Sequence, residues 1–591
     1  MLFRSALTAG DARRYFDRYS LAIEVLASAS KPEKLCNSPN ISVKLSALCP
    51  YYKPTQHRRA VKMLSEKLLI LARQASQAGI SLTIDAEESE RMDMSLQIFE
   101  TVFVHPDLQH WHGLGLAVQA YQKRAFTVLQ WLAELASQQQ KIIPLRLVKG
   151  AYWDSEIKQA QEAGLSDYPV FTHKSATDIS YLACAQFILA YPKAFYPQFA
   201  SHNAHTLAAI HEFGRSYPGY EFQRLFGMGE QLYDEIIDHQ NWQTPCRIYA
   251  PIGRYRELLP YLVRRLLENG ANSSFISQLD DPDISIEQAT ADPVEYYQQG
   301  VCDKPGIPLP VDIYGEQRKN SSGVNVNDIT VLQKFQQQLD RLADRYWQAR
   351  PLVAGMTISG DERRIVNPAD QNQTVGDVIN ASKGQILTAL KIADAASNKW
   401  RQSKPEQRVA LLLKCADSLE QKHLELVSLV IREGGRTIID ALNEVREAVD
   451  FCRYYSQCLS NDLAKPIDLP GPTGELNELH RFGRGIFVCI SPWNFPLAIF
   501  IGQISAALAA GNCVIAKPSS QTPLTAMLCI QLMHQAGVPK DVLQFLPAEG
   551  KAISQYLLSD YRIAGVAFTG STATAHMINR QIGRASCRER V

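Results

Sequence analysis

Between residues 40 and 253 the chain alternates short apolar runs, typical of strands, with longer amphipathic runs, typical of helices. Strand followed by helix, repeated, favours a parallel sheet. A closed (β/α)8 barrel needs eight strands, and only seven candidates are visible, so we predict an α/β barrel of this type that lacks its first strand. The strand candidates are Ile41–Leu48, Ser81–Glu88, Gly113–Tyr121, Pro144–Tyr152, Gln198–Ala204, Glu221–Gly227 and Cys246–Gly253, with helix candidates such as Arg58–Gln77 and Lys123–Gln139 between them.

Composition narrows the class of protein. The 591 residues are enough for two or three domains, and a net charge of +1 gives no support for nucleic-acid binding. The twelve cysteines form no CxxC pair and no Cys/His cluster, which favours reduced thiols over a disulfide framework or a metal site. No apolar run is long enough to span a bilayer, so we expect a cytoplasmic protein.

Polar side chains end six of the seven strand candidates, and the active sites of such barrels lie at that edge. These residues are Lys44, Asp85, Gln119, Lys149, His202 and Tyr249. A helix is then predicted over Glu257–Asn269. It carries Tyr261, Arg264, Arg265 and Glu268, whose spacing favours a shared face, although an exposed basic patch explains the same pattern.

The second half of the chain predicts a different domain. Residues 281–323 are rich in Pro, Gly, Asp and Ser and read as a connector, and residues 326–350 look helical. A further domain begins near Pro351. Its helical front covers Gly384–Leu459, and the strand candidates Gly485–Ile490 and Cys513–Lys517 with a helix between them predict a βαβ unit.

Several long runs in the first part resemble the proline dehydrogenase domain of bifunctional proline utilisation flavoproteins. They include ISVKLSAL, LTIDAEE, RLVKGAYWDSEIKQAQ, FASHNAHTLAAI and YLVRRLLENGANSSF, and together they cover nearly all of residues 37–277. The resemblance implies a distorted barrel that holds FAD and oxidises L-proline to Δ1-pyrroline-5-carboxylate by hydride transfer. It also implies a membrane quinone as electron acceptor, and therefore peripheral contact with the inner membrane face.

The same resemblance implies the roles of individual residues. Arg264 and Arg265, with Lys44, are expected to hold the proline carboxylate, because guanidinium groups suit carboxylates in geometry and charge. Asp85, Tyr249 and Tyr261 are expected to line the substrate pocket. The residues expected to contact FAD are Gln119, Arg146, Lys149, Gly150, Trp153, Thr172, His173, Lys174, Ser201, His202, Asn203 and Glu268.

Residues from about 352 to 580 resemble the N-terminal portion of an aldehyde dehydrogenase of the glutamate semialdehyde type, through runs such as SPWNFPL, AKPS and VAFTGSTATA. The resemblance implies NAD as cofactor. Asn494 is expected to stabilise an oxyanion, Lys517 to meet the adenosine ribose, and the Gly570–Ser571 turn to approach the pyrophosphate. The nucleophilic cysteine and the general base of this family are expected downstream, so this half is predicted to be incomplete, and Cys587 in the divergent run Gly583–Val591 is a poor candidate for the nucleophile.

The predicted division is a barrel over residues 1–280, a connector with helices over 281–350, the aldehyde dehydrogenase part over 351–582 and an atypical tail over 583–591. Four alternatives stay open: an inactive fragment, a lyase or aldolase that uses Lys44 or Lys149 as a Schiff base, a parent protein that also regulates transcription by binding DNA, and an aldehyde dehydrogenase part that serves as an interaction surface. A homo-oligomer is expected for the parent protein.

Overall fold

The computed structural model describes residues 5–29, 38–217, 219–236, 242, 244–253, 258–259, 261–263, 285, 290–298, 306–354 and 360–586. The chain divides into two compact units. Unit 1 comprises Met1–Glu162, Asp167–Ile307 and Val326–Leu332, and unit 2 comprises Ala163–Ser166, Pro308–Asn325 and Gln333–Val591.

Unit 1 is built on a parallel sheet of seven strands that lie side by side in chain order. The strands are β1 Asn40–Val43, β2 Ser81–Ile84, β3 Leu114–Gln119, β4 Ile143–Val148, β5 Phe195–Ala200, β6 Glu221–Leu225 and β7 Cys246–Tyr249. The main helices are α1 Ala9–Ala29, α2 Leu45–Leu48, α3 His57–Gln77, α4 Met92–Phe103, α5 Ala125–Gln139, α6 Trp153–Glu162, α7 Lys174–Ala190, α8 Ala204–Phe213, α9 Glu230–Asp234 and α10 Pro293–Gln298.

Alternate residues of each strand point to opposite faces. One face, with Leu82, Ile84, Leu145 and Leu147, joins the buried apolar core formed with the helices. The other face is polar and lies inside the curl of the sheet. The sheet curls far enough that the Nη1 atom of Arg247, on β7, donates a 2.7 Å hydrogen bond to the carbonyl oxygen of Ser38, just before β1.

The predicted α/β barrel architecture is confirmed, with shorter strands than we expected. The prediction of a strand over Ile41–Leu48 is wrong in its second half, because Leu45–Leu48 is a buried helical turn. The other candidates also end early, since the chain turns where the polar residues begin. The candidate at Gln198–Ala204 starts earlier, at Phe195, and ends at Ala200.

Unit 2 contains a helical layer and three sheets. Its helices are α11 Ile329–Asp340 (whose first residues belong to unit 1), α12 Lys383–Arg401, α13 Pro405–Gln421, α14 His423–Gly434, α15 Ile438–Cys458, α16 Ala498–Ala509, α17 Pro523–Gln535, α18 Gly550–Ile553 and α19 Thr572–Ser586. Its strands are β8 Trp347–Ala349, β9 Glu362–Asn367, β10 Asp370–Ile379, β11 Ile467–Leu469, β12 Asn477–Leu479, β13 Ile486–Ile490, β14 Cys513–Lys517, β15 Leu543–Phe545 and β16 Ile563–Phe568.

The predicted βαβ unit is confirmed as β13–α16–β14, and the helical front is confirmed as α12 to α15. The four parallel strands stand in the order β15–β14–β13–β16. The prediction of helix over 326–350 is wrong at its end, because α11 stops at Asp340 and Trp347–Ala349 pairs with β10 as a strand. Among the described residues, no helix is both long and apolar enough to cross a membrane.

Candidate functional site

The six polar residues predicted at the strand ends lie together along the carboxyl edge of the seven-stranded sheet. Each is the last residue of its strand or follows it within two positions, because parallel strands all end at the same edge. Lys44, Asp85 and Gln119 are buried. Lys149, His202 and Tyr249 are half-buried. This edge is the candidate site of unit 1.

Asp85 and Arg146 form the charged centre of this site. The Nη1 atom of Arg146 lies 2.8 Å from Oδ1 of Asp85, and both side chains are less than 10% exposed. The hydroxyl of Tyr249 donates to the other carboxylate oxygen at 2.9 Å, and the guanidinium carbon lies 5.1 Å from the centre of the Tyr249 ring. The contacts of β2, β4 and β7 thus fix one carboxylate on both of its oxygens.

Two residues that the sequence analysis did not name complete the surroundings of Arg146. Its Nε atom donates to Gln223 at 2.7 Å and its Nη2 atom donates to Ser42 at 3.0 Å. Arg146 is therefore bound on three sides inside the curl of the sheet. Its charge is balanced by Asp85, so its main contribution to the site is to orient that carboxylate rather than to add net positive charge.

Lys44 provides the cation nearest to the start of the sheet. Its Nζ atom donates to the hydroxyl of Tyr152 at 3.1 Å, and its backbone N–H donates to the hydroxyl of Tyr19. Burial opposes the charge of this ammonium group, but Tyr152, Glu87 and Asp85 outweigh the burial and hold the pKa of Lys44 above its usual value. Lys44 is therefore a charged group at neutral pH, as a carboxylate-binding role requires.

The segment after β4 is held closely against its neighbours. Lys149 pairs with Asp178 of α7, and Trp153 Nε1 donates to the carbonyl oxygen of Phe171 at 2.8 Å. Gly150 has φ +142°, and a Cβ atom there would lie 2.5 Å from the ring of Tyr121. Only glycine fits this close approach, since a side chain would meet both the ring and an unfavourable backbone conformation.

The residues after β5 have local roles that the sequence analysis did not anticipate. Asn203 caps α8 by accepting from the backbone N–H of Thr206 at 2.8 Å. The hydroxyl of Ser201 accepts from the backbone N–H of Asn203 at 3.2 Å, and Nε2 of His202 accepts from the backbone N–H of Leu225 at 3.2 Å. These bonds fix the loop that bounds the site on the β5 side.

Thr172, His173 and Lys174 lie at the start of α7, with His173 in the N-cap position and in an extended conformation. Gln119 is buried at the end of β3, where its side-chain oxygen accepts from Gln122 at 2.7 Å. Tyr261 is buried within a short helical stretch. Arg264, Arg265 and Glu268 lie outside the described residues.

The carboxyl edge of the four-stranded sheet forms a second candidate site, in unit 2. The chain runs from β13 outward to β14 and β15 and then returns to place β16 on the other side of β13. Ligands of open α/β sheets bind where the strand order reverses in this way. Asn494 follows β13, Lys517 ends β14, and Gly570 and Ser571 follow β16, so the predicted residues share this edge.

Local contacts shape this second edge. Gln503 of α16 donates to the carbonyl oxygen of Ile490 at 3.3 Å and to the hydroxyl of Thr569 at 3.2 Å, which joins the ends of β13 and β16. Ser571 accepts from the backbone N–H of Thr574 at 3.3 Å in the first turn of α19. Lys517 is buried, and burial lowers the pKa of its ammonium group. Cys587 lies outside the described residues.

Comparison with known proteins gives matches over both units. The proline dehydrogenase family model matches residues 1–278, and the aldehyde dehydrogenase family model matches residues 357–589. The chain is 45% identical over 595 residues to the bifunctional protein PutA of Salmonella typhimurium, an alignment that covers 98% of this chain and 44% of that protein. The chain thus spans less than half the length of this relative.

Two solved structures extend the comparison. A variant of proline utilization A from Bradyrhizobium japonicum superposes with a TM-score of 0.87 at 42% identity, covering 98% of this chain and 56% of that one. Proline utilization A from Bdellovibrio bacteriovorus, inactivated by N-propargylglycine, gives a TM-score of 0.87 at 30% identity, with 98% and 61% coverage. This chain, with its proline dehydrogenase region followed by an aldehyde dehydrogenase region, belongs to the PutA family of bifunctional proteins.

Proposed function

We propose that unit 1 binds FAD at the carboxyl edge of its sheet and oxidises L-proline to Δ1-pyrroline-5-carboxylate. The observation that carries the proposal is the buried group of Asp85, Arg146, Tyr249 and Lys44 inside the curl of the sheet. Such a group suits an amino-acid substrate, because it offers both an ammonium group for a carboxylate and a carboxylate for an amine.

The residues around this group fit FAD in their chemistry. The segment after β4 and the start of α7 present the N–H and O–H donors that carbonyl and phosphate oxygens need, and Gly150 lets the backbone pass without a side chain. When bound, FAD supplies the two-electron acceptor for the ring carbon of proline. The residues proposed to hold it are Gln119, Arg146, Lys149, Gly150, Trp153, Thr172, His173, Lys174, Ser201, His202, Asn203 and Glu268.

In this proposal the protein binds and orients the substrate. Lys44, with Arg264 and Arg265, holds the proline carboxylate. Asp85 receives the ring nitrogen as a hydrogen-bond donor and keeps a fixed orientation through Arg146 and Tyr249. Tyr249 and Tyr261 bound the pocket for the five-membered ring, and the buried side chains around them exclude water.

The test is direct. We expect purified chain to carry about one flavin per chain, and we expect anaerobic L-proline to bleach its visible absorbance. Lys44→Met should keep the flavin and lose most of the affinity for proline, because it removes a carboxylate partner but no strand contact. A chain that holds flavin but is not reduced by proline, under conditions that reduce a homologous enzyme, contradicts the proposal.

We further propose that the edge of the four-stranded sheet binds NAD, with the Gly570–Ser571 turn at the pyrophosphate, Lys517 at the adenosine ribose and Asn494 beside the reacting carbonyl. The placement of these residues at the strand-order reversal supports this role. Quenching of protein fluorescence by NADH measures the binding, and Lys517→Met should weaken it. Absence of saturable quenching contradicts the proposal.

The activity of the whole parent protein is also a proposal. It would couple proline oxidation to NAD-dependent oxidation of glutamate semialdehyde, pass the electrons from proline to a membrane quinone by peripheral contact, and act as a homo-oligomer. We keep the boundaries 1–280, 281–350, 351–582 and 583–591 as the proposed division of the chain. Each of these proposals rests on the family, and sedimentation with quinone-containing vesicles and light scattering would test the last two.

A further inference from the structure

Glu156, in the first turns of α6, is a buried carboxylate that the proposed mechanism does not use. Its side chain is 2% exposed. Its Oε1 atom accepts from the backbone N–H of Ser89 at 2.7 Å, and its Oε2 atom accepts a short hydrogen bond from the Ser89 hydroxyl. Both oxygens are therefore used on one residue, which lies 67 positions earlier in the chain.

The surroundings of Glu156 make this burial costly. Within the described part of the chain it forms no ion pair with a lysine or arginine, and the charged side chains that act on it most are two other acids, Glu88 and Glu90. Burial is the largest cause that raises the pKa of the Glu156 carboxyl. A buried acid without a cation usually destabilises a fold, so its presence here calls for a reason other than stability.

The two segments that Glu156 joins supply such a reason. Ser89 follows the β2 end, four residues after Asp85, and Glu156 follows the β4 end, seven residues after Lys149. Between them lies Tyr121, after β3, whose ring packs under Gly150 and whose hydroxyl is 3.5 Å from Oε1 of Glu156. The β4 segment is thereby held from the β2 and β3 loops at once.

The same β4 segment also reaches β1. Tyr152, four residues before Glu156, accepts the hydrogen bond from Nζ of Lys44. A shift of α6 would therefore move Tyr152 away from Lys44 and Lys149 away from Asp178. A displacement of about 1 Å at a binding group is enough to lower activity substantially.

We propose that Glu156 is a positioning residue, which through its paired hydrogen bonds to Ser89 sets the distance between the loop that carries Asp85 and the segment that carries Lys149 and Tyr152, and so determines the affinity for proline without contacting it. This inference rests on the proposed function of unit 1. It names a determinant of substrate binding outside the pocket itself.

Four variants test it. Glu156→Ala removes both bonds, and Ser89→Ala removes only the hydroxyl bond. Glu156→Gln keeps both, because the amide oxygen accepts from the backbone N–H while the amide nitrogen donates to the Ser89 hydroxyl. Glu162→Ala is the matched control, since Glu162 ends the same helix with its side chain 65% exposed and paired to Lys158.

We expect KM for proline to rise roughly tenfold in Glu156→Ala, with kcat within about threefold of the wild type. Ser89→Ala should lie between the two, and Glu156→Gln and Glu162→Ala should match the wild type. A purely structural role would lower the thermal midpoint but leave KM unchanged. Equal KM values in Glu156→Ala, Ser89→Ala and the wild type, or failure of Glu156→Gln to restore KM, overturn the inference.

Hydrogen exchange followed by mass spectrometry gives a second readout that needs neither flavin nor activity. We expect faster exchange in Glu156→Ala at residues 86–91 and 149–153 and unchanged exchange in β5 to β7. A general increase across unit 1, or no increase, contradicts the inference. If the wild-type chain does not oxidise proline, the proposed function fails, and this exchange pattern still decides the positioning role. If Glu156→Ala does not fold, Ser89→Ala and Glu156→Gln carry the same comparisons.

Discussion

The hydroxyl of Tyr249 donates a 2.9 Å hydrogen bond to Asp85 and so joins the last strand of the seven-stranded sheet to the second. Tyr249→Phe leaves Arg146 as the remaining partner that orients the carboxylate. A hydrogen bond to a charged group is worth more than a neutral one, so we expect KM for proline to rise roughly tenfold in steady-state assays.

Tyr217→Phe is the control for this substitution. The Tyr217 hydroxyl donates to the carbonyl oxygen of Phe195, at the opposite end of β5 from the site, over a similar distance of 3.0 Å. We expect this variant to melt at a lower temperature with an unchanged KM. The same change of KM in both variants would show that the effect of Tyr249→Phe is not local.

Gly150→Ala places a methyl group against the ring of Tyr121, at a backbone φ of +142°. The segment after β4 must then move, and we expect the flavin content of the purified chain to fall below about half of the wild-type value. Flavin absorbance against protein concentration measures this. Gly219→Ala is the matched control, because a Cβ atom there has no neighbour within 4 Å; a flavin loss in both variants would refute the explanation.

Arg247 holds Glu221 through Nε at 2.7 Å and Nη2 at 2.8 Å, and Glu221 is 1% exposed. Arg247→Ala leaves a buried carboxylate without its cation, so we expect the free energy of unfolding of unit 1 to fall by about 3–5 kcal/mol in urea titrations. The double variant Arg247→Ala/Glu221→Gln should recover part of this loss. No recovery would mean that the lost packing of the arginine, and not the exposed charge, dominates.

Glu444 gives a prediction about pH in unit 2. Its Oε2 atom accepts from the backbone N–H groups of Leu497 and Ala498 at the start of α16, whereas its Oε1 atom has no hydrogen-bond partner among the described residues. Burial raises the pKa of this carboxyl from 4.5 to about 7. The folded state therefore holds a proton that the unfolded state releases.

The stability from this proton is fully present below pH 4.5 and is lost as the pH rises through about 7. Glu444→Gln imitates the protonated acid and keeps both hydrogen bonds. We expect its melting temperature to match the wild type at pH 4.5 and to exceed it increasingly up to pH 7, with a constant difference above. A difference that does not depend on pH would contradict the raised pKa.

The alternation of strands and helices was sufficient to predict the architecture, because a parallel sheet leaves few other arrangements for such a pattern. The edge that holds the site followed from the same argument. The ends of the strands were less predictable. Leu45–Leu48 is as apolar as a strand, and only the turn after Lys44 shows that it is helical.

The partners of the site residues were not predictable from the sequence. Ser42 and Gln223 lie in strands 77 or more residues from Arg146, and nothing local to either marks it as a partner of an arginine. Their position on the inward face of alternating strands was the one available signal. Asn203 illustrates the converse, since its side-chain oxygen caps α8 and this local role is visible in the sequence as an Asn before a helix.

The seven strands of unit 1 pair strictly in chain order, whereas the contact from Arg247 to Ser38 joins residues 209 positions apart. On the ribosome each new strand can therefore dock on one that has already emerged, and the polar interior grows outward from β1. The long loop closed by Arg247 costs the most entropy and forms last. Until then the nascent sheet exposes the unpaired edge of β7 and a channel of buried-type polar groups, so this late step is where the chain most needs protection from aggregation.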